Sequence, residues 1–163
     1  MTQSTMVQGD TLVLRRVFNA SPERVYRAWT DPEQLIRWFS SNTRWRTPLV
    51  DVVPVQGGRH HIDMRHSDGD VFKLRGKYLE VIPNEKIVFT WVWLDDPMGT
   101  DADTESIVTV EFREVPGGTE LTLTHEKLRN TDQQAQTSEG WEGCLTMLEG
   151  YLDTGAELLP LAQ

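Results

Sequence analysis

The chain has 163 residues, 38% hydrophobic and 25% charged, with a formal net charge of −9, the size and balance of one soluble domain with a substantial core. Such an acidic average repels phosphate backbones and anionic headgroups, so neither nucleic acid nor membrane is expected as a partner. A lone cysteine, Cys144, rules out an internal disulfide and a multi-cysteine metal centre, and "MTQSTMVQGD" has no apolar run resembling a leader, so a cytoplasmic setting is expected.

Residues 1–10 read as a disordered tail, 11–155 as one domain and 156–163 as a second tail. "TLVLRRVF" is β-branched and apolar enough for a first strand. Two helix starts follow. Ser21-Pro22 and Asp31-Pro32 each place a capping side chain before an N1 proline, with Glu23 and Glu33 in the first turns. Val25 and Trp29, then Leu35, Trp38 and Phe39, recur at helical spacing.

From residue 49 the pattern becomes β. A strand at 49–53 precedes the Gly57-Gly58 turn, "RHHIDMRH" follows, and Ser67-Asp68-Gly69 signals a hairpin into "DVFKLRGKYLEVI", read as one strand. In it Phe72, Leu74, Gly76 and Tyr78 alternate with Lys73, Arg75 and Lys77. "IVFTWVWL" puts Ile87, Phe89, Trp91 and Trp93 on one face. Beyond the polar "DDPMGTDADTE" loop, "SIVTVEFREV" and "TELTLTHEKL" flank a Pro116-Gly117-Gly118 turn. Arg15, Arg16, Arg75 and Glu111 are charges within strands, expected on a wetted convex face.

The last element starts near Thr131-Asp132 or, more securely, at Ser138. At 100° per residue, Trp141, Cys144, Leu145, Met147, Leu148, Tyr151 and Leu152 share an arc of roughly 160°. Gly143 and Gly150 fall at its border, a bare strip where either a sheet backbone or a ligand would approach.

The fold class this order gives is α+β with an antiparallel sheet. The segments "RVFNASPERVYRAWTDPEQLIRWF", "QGGRHHIDM", "GKYLEVIPNEKIVFTW", "GGTELTLTHEKL" and "EGWEGCLTMLEGYL", in this order, resemble the family named after the activator of heat-shock-protein-90 ATPase, within the START/Bet v 1-like (SRPBCC) superfamily. The resemblance spans roughly residues 11–154. It implies a helix-grip fold: a curved sheet of about six or seven strands wrapped around the long C-terminal helix, with an apolar cavity between them. Members of the superfamily include lipid and polyketide binders, cyclases, hydrolase-like proteins and a co-chaperone domain. That co-chaperone carries a separate chaperone-gripping module, which the roughly ten residues before the first strand here would not supply.

Within the implied cavity, strand alternation selects Phe72, Leu74, Tyr78, Phe89, Trp91 and Trp93 as one wall. Trp141, Leu145 and Leu148 would cover it from the helix, and Trp38, Phe39 and Trp45 would form the rim. A typical ligand pocket would measure roughly 300–1,000 Å³. His60 and His66 share a strand face and are candidate polar anchors, while His61 and Asp63 face the other way as a solvent-facing pair. No face of that strand offers a third ligand, so no metal is expected, and no cofactor or catalytic motif is recognised. Cys144 should be buried and inert.

Three functions compete: a carrier of a small hydrophobic molecule (aromatic, lipid-like or polyketide-like), a cyclase or hydrolase using the same cavity, and a chaperone-activator interaction module. Val88, Val92 and Leu94, opposite the aromatic face, are a candidate homodimer contact.

Overall fold

Ser21 and Asp31 start helices in the way their neighbours dictate. In the computed structural model, which describes residues 3–40, 44–94, 105–128 and 131–154, α1 spans Pro22–Thr30 and α2 spans Pro32–Trp38. Ser21 Oγ accepts from the Arg24 backbone N–H at 3.2 Å, and an Asp31 oxygen accepts from the Glu33 N–H at 3.0 Å. Asp31 also closes α1, donating its own N–H to the Arg27 carbonyl at 2.8 Å. One residue therefore satisfies both a helix end and a helix start.

Among the described residues the sheet is antiparallel and has nine strands: β1 (Gln3–Gln8), β2 (Thr11–Phe18), β3 (Trp45–Val52), β4 (His60–His66), β5 (Val71–Arg75), β6 (Tyr78–Ile82), β7 (Lys86–Trp93), β8 (Ser106–Val115) and β9 (Gly118–Glu126). Their order is β1-β2-β9-β8-β7-β5-β4-β3, with β6 also paired to β7. The long helix α3 covers Thr131–Thr154. No helix among the described residues is long and apolar enough to cross a membrane. The expected 95–105 loop falls almost entirely outside the described residues, as does the 156–163 tail.

Two differences from the sequence expectation raise the strand count. Residues 3–8, expected as a tail, pair with β2 from Gln3–Arg16 to Gln8–Thr11. Every side chain of that strand is exposed, so no apolar alternation marks it. The segment 71–82 is two strands rather than one, broken at Gly76 and Lys77. There the chain presses against β7: a β-carbon on Gly76 would sit 2.0 Å from the Thr90 carbonyl oxygen, an approach open only to glycine.

The core lies between the concave sheet face and α3. From β2 come Leu12, Leu14 and Phe18; from β8 and β9 come Val108, Val110, Leu121 and Leu123, all fully buried. Trp141, Leu145, Leu148 and Leu152 meet them from the helix. Arg15 and Glu111 are exposed as expected, but Arg16 is not on the wetted side. Alternation puts Arg16 with Leu14 and Phe18, where it is 7% exposed, donates to Thr146 Oγ at 3.1 Å and pairs with Glu149 at 3.6 Å. Helix carboxylates compensate a cation that the sheet face would otherwise strand.

Candidate ligand-binding cleft

At one end of the helix the sheet and α3 separate and leave a cavity of about 150 Å³. Its sheet wall is Met64 on β4, Phe72 on β5, and Trp91 and Trp93 on β7, where the Met64–Phe72 and Leu74–Trp93 pairings bring the three strands into register. Trp45 and Phe39 close one side. Gln136, Thr137, Gly140, Trp141 and Cys144 close it from the helix.

The rings meet nearly at right angles. Trp91 and Trp93 stand 5.3 Å apart at 88°, Phe72 and Trp93 5.9 Å at 80°, and Trp45 and Phe72 5.0 Å at 70°. Edge-to-face packing of this kind adds attraction beyond area burial. It also holds each ring through its neighbour. Phe39 is fixed further by its carbonyl, which accepts from Thr47 Oγ at 2.6 Å.

Beneath the cleft lies a buried polar chain that ties helix to sheet. Trp141 Nε1–H donates to His125 Nδ1 at 3.0 Å, and His125 Nε2 lies 2.8 Å from Ser106 Oγ. An indole nitrogen only donates, so Nδ1 is the acceptor and the neutral ring carries its proton on Nε2. His125 therefore donates to Ser106 Oγ, whose hydroxyl donates to the Trp91 carbonyl at 3.3 Å. Sheet register explains the contact. Ser106 faces Trp91 and His125 faces Val108, making Ser106 and His125 diagonal neighbours on one face. Burial lowers the His125 pKa from 6.5 to about 3, which keeps the ring neutral. A serine beside a histidine is the arrangement of a nucleophile and its base, but here the nitrogen facing the hydroxyl already holds a proton.

Of the expected pocket residues, Phe39, Phe72, Trp91, Trp93 and Trp141 are brought together around the cavity. Leu74, Tyr78, Phe89, Leu145 and Leu148 lie on the expected faces but are fully buried in the core. For Phe89 and Tyr78 the reason is His60, which stacks on Phe89 at 4.0 Å and 17° and meets Tyr78 edge-on at 5.3 Å, filling that end of the strand pair. Trp38 is also core: its Nε1–H donates to the Ala28 carbonyl at 2.9 Å and its ring packs on Trp29 at 5.0 Å. His60 is not a cleft anchor but a buried ring held neutral by desolvation, its pKa lowered to about 3. His66 sits at the β4–β5 turn, 3.0 Å from Asp68 and edge-on to Trp45 at 4.9 Å, outside the cavity wall. Asp63 lies on the same strand face as His61, both half-buried, and also pairs with Arg75 at 2.8 Å.

Gln136 and Thr137 precede Ser138, the firmer of the two expected helix starts, and so escape the sequence reading, while Gly140 has no side chain to mark its face. The helix begins two turns earlier, at Thr131. The 3- and 4-residue spacing carries the inward stripe from buried Gln133 through half-buried Thr137 and Gly140 to buried Trp141 and Cys144, with exposed Gln136 at its edge. Cys144 borders the cavity with its thiol pushed up by burial, which makes it a poor nucleophile. The glycine facing the cavity is Gly140, where a β-carbon would meet no atom within 4 Å.

The profile of the activator of Hsp90 ATPase homolog 1-like protein family matches residues 19–153. The chain belongs to that family. Its fold recurs in a protein from Chromobacterium violaceum, 27% identical, which aligns over 86% of this chain and 95% of its own with a TM-score of 0.77. An AHSA1 protein from Silicibacter pomeroyi is also 27% identical, over 90% and 99% of the two chains, with a TM-score of 0.77. An Arthrobacter aurescens protein at 19% identity shares the fold with a TM-score of 0.82, over 94% of this chain and 93% of its own. No protein of curated function matches significantly. Family membership places the chain in the START/Bet v 1-like superfamily, whose helix-grip architecture the nine-stranded sheet and α3 reproduce.

Proposed function

We propose that this family member binds a small apolar molecule in the cleft between sheet and α3, and that the protein contributes shape and desolvation rather than acid–base chemistry. One observation carries the reading: six aromatic rings and Met64 surround the cavity, and Cys144 is the only ionisable residue among the described lining residues. A wall of this kind rewards apolar surface and penalises charge. The two histidines that an enzyme of the cyclase or hydrolase kind would use, His60 and His66, lie outside it. A cytoplasmic carrier suits a lone, buried thiol.

The test is calorimetric titration of the purified protein with a panel of apolar compounds, beside the variant Trp45→Ala. Trp45 is only half-buried, so its loss should spare the fold. Saturable binding that weakens at least tenfold in Trp45→Ala is the expected result. Binding that is indifferent to Trp45, or no binding at all, would overturn the assignment.

A further inference from the structure

From the size and the walls of the cleft we infer its ligand class: an uncharged, planar aromatic of one ring or a fused pair, of the phenol or indole kind, with one hydrogen-bonding group turned to Gln136 and Thr137. This rests on the cleft being a binding site and narrows what it takes.

Volume is the first constraint. The cavity measures about 150 Å³, the size at which a dry apolar cavity holds benzene, and well below the roughly 300 Å³ where ordinary ligand pockets begin. An extended acyl chain or a multi-ring polyketide could not be enclosed whole and would leave apolar surface in water at the Gln136 side. Shape is the second. Trp91, Trp93 and Phe72 present faces and edges nearly perpendicular to one another. A flat aromatic ring placed among them stacks on one wall while directing its edge at another, which an aliphatic molecule of equal volume does not do.

Charge is the third. Cys144 apart, the described lining carries no ionisable group, and its thiol is held protonated by burial. A carboxylate entering the cleft would lose its water without gaining a cationic partner among the described lining residues, at a protein whose net charge of −9 already repels it. Among the described lining residues, the indoles and the Cys144 thiol apart, the polar side chains are Gln136 and Thr137, on the first turns of α3, where Gln136 is exposed and Thr137 half-buried. An amide and a hydroxyl there offer both donor and acceptor to a single hydroxyl or N–H.

Calorimetry should compare phenol and indole with indole-3-acetate, decanoate, a flavonoid and tetramethylammonium, on native protein and on Gly140→Leu. The added side chain starts from free space beside the walls, and leucine favours the helix, so the variant should fold; circular dichroism confirms that it does. Phenol or indole should bind saturably, at least tenfold tighter than indole-3-acetate and decanoate, and at least tenfold weaker to Gly140→Leu. If decanoate, the flavonoid or tetramethylammonium binds tightest and is blocked by Gly140→Leu, the ligand class is overturned while the cleft stands. If Gly140→Leu weakens no compound in the set, both the class and the cleft reading fall.

Discussion

The indole N–H of Trp141 reaches Nδ1 of His125 at 3.0 Å, and that bond decides which nitrogen of a buried imidazole carries the proton. The helix is thereby registered on β9, and through Ser106 on the backbone of β7 at Trp91. Replacing His125 by alanine leaves the indole N–H and the Ser106 hydroxyl without this partner inside the core. A loss of about 2–4 kcal/mol is expected from urea unfolding. Trp141→Phe and His125→Ala should be coupled by at least about 1 kcal/mol in a double-mutant cycle; strict additivity would show that the bond contributes nothing.

Acid should weaken the fold through its two buried histidines. His60 and His125 are both lowered by burial from 6.5 to about 3, so between those values the unfolded chain binds protons that the native chain refuses. Stability is therefore fully present above about pH 6.5 and declines as pH falls towards 3, by up to about 1.4 kcal/mol per pH unit for each ring. Unfolding free energies measured at pH 7, 6, 5 and 4 should show this slope. A flat profile from pH 7 to 5 would refute the neutral, desolvated state of both rings.

Two glycines should respond with opposite signs. Gly140→Ala adds a methyl where nothing lies within 4 Å and improves helix propensity, for a gain of about 0.5–1 kcal/mol. Gly76→Ala puts a methyl on the Thr90 carbonyl oxygen and should cost about 1–3 kcal/mol through displacement of β5 from β7. Thermal unfolding of both variants checks the pair, and equal shifts would contradict the packing described for these positions.

Tyr78 buries a hydroxyl that has no hydrogen-bond partner among the described residues, and burial pushes its pKa up. Tyr78→Phe removes the polar atom and keeps the ring that packs on His60 and Phe89. The substitution should be neutral or stabilising, by up to about 1 kcal/mol. A loss above that amount in urea unfolding would show that the hydroxyl is satisfied in solution.

Local chemistry was legible in the sequence and long-range placement was not. Ser21 and Asp31 could be read as caps because capping spans only two or three residues. The faces of β5, β6 and β7 followed from alternation, a property of the strand itself. Which end of those faces stays open is set by His60, which arrives from β4 to stack on Phe89, and no local pattern reports that encounter. β1 was invisible for the same reason: its ordering comes from pairing with β2, not from its own residues. Arg16 is the instructive case: its charge argued for the wetted face, whereas strand alternation puts it on the buried face with Leu14 and Phe18. Gly143 and Gly150 drew attention to the helix border, whereas the glycine at the cleft is Gly140, within a turn that the favoured start at Ser138 had placed near the end of the helix.

Five of the six tryptophans form an unbroken ladder: Trp93 to Trp91 at 5.3 Å, Trp91 to Trp141 at 5.1 Å, Trp141 to Trp29 at 5.9 Å and Trp29 to Trp38 at 5.0 Å. At such spacings absorbed light is not confined to one chromophore. Excitation migrates along the ladder to its lowest-energy member, and the rings couple as transition dipoles. The near-ultraviolet circular dichroism and emission colour of this protein are consequently collective properties, and an occupant touching only Trp91 or Trp93 would alter the optical signature of tryptophans that it never meets.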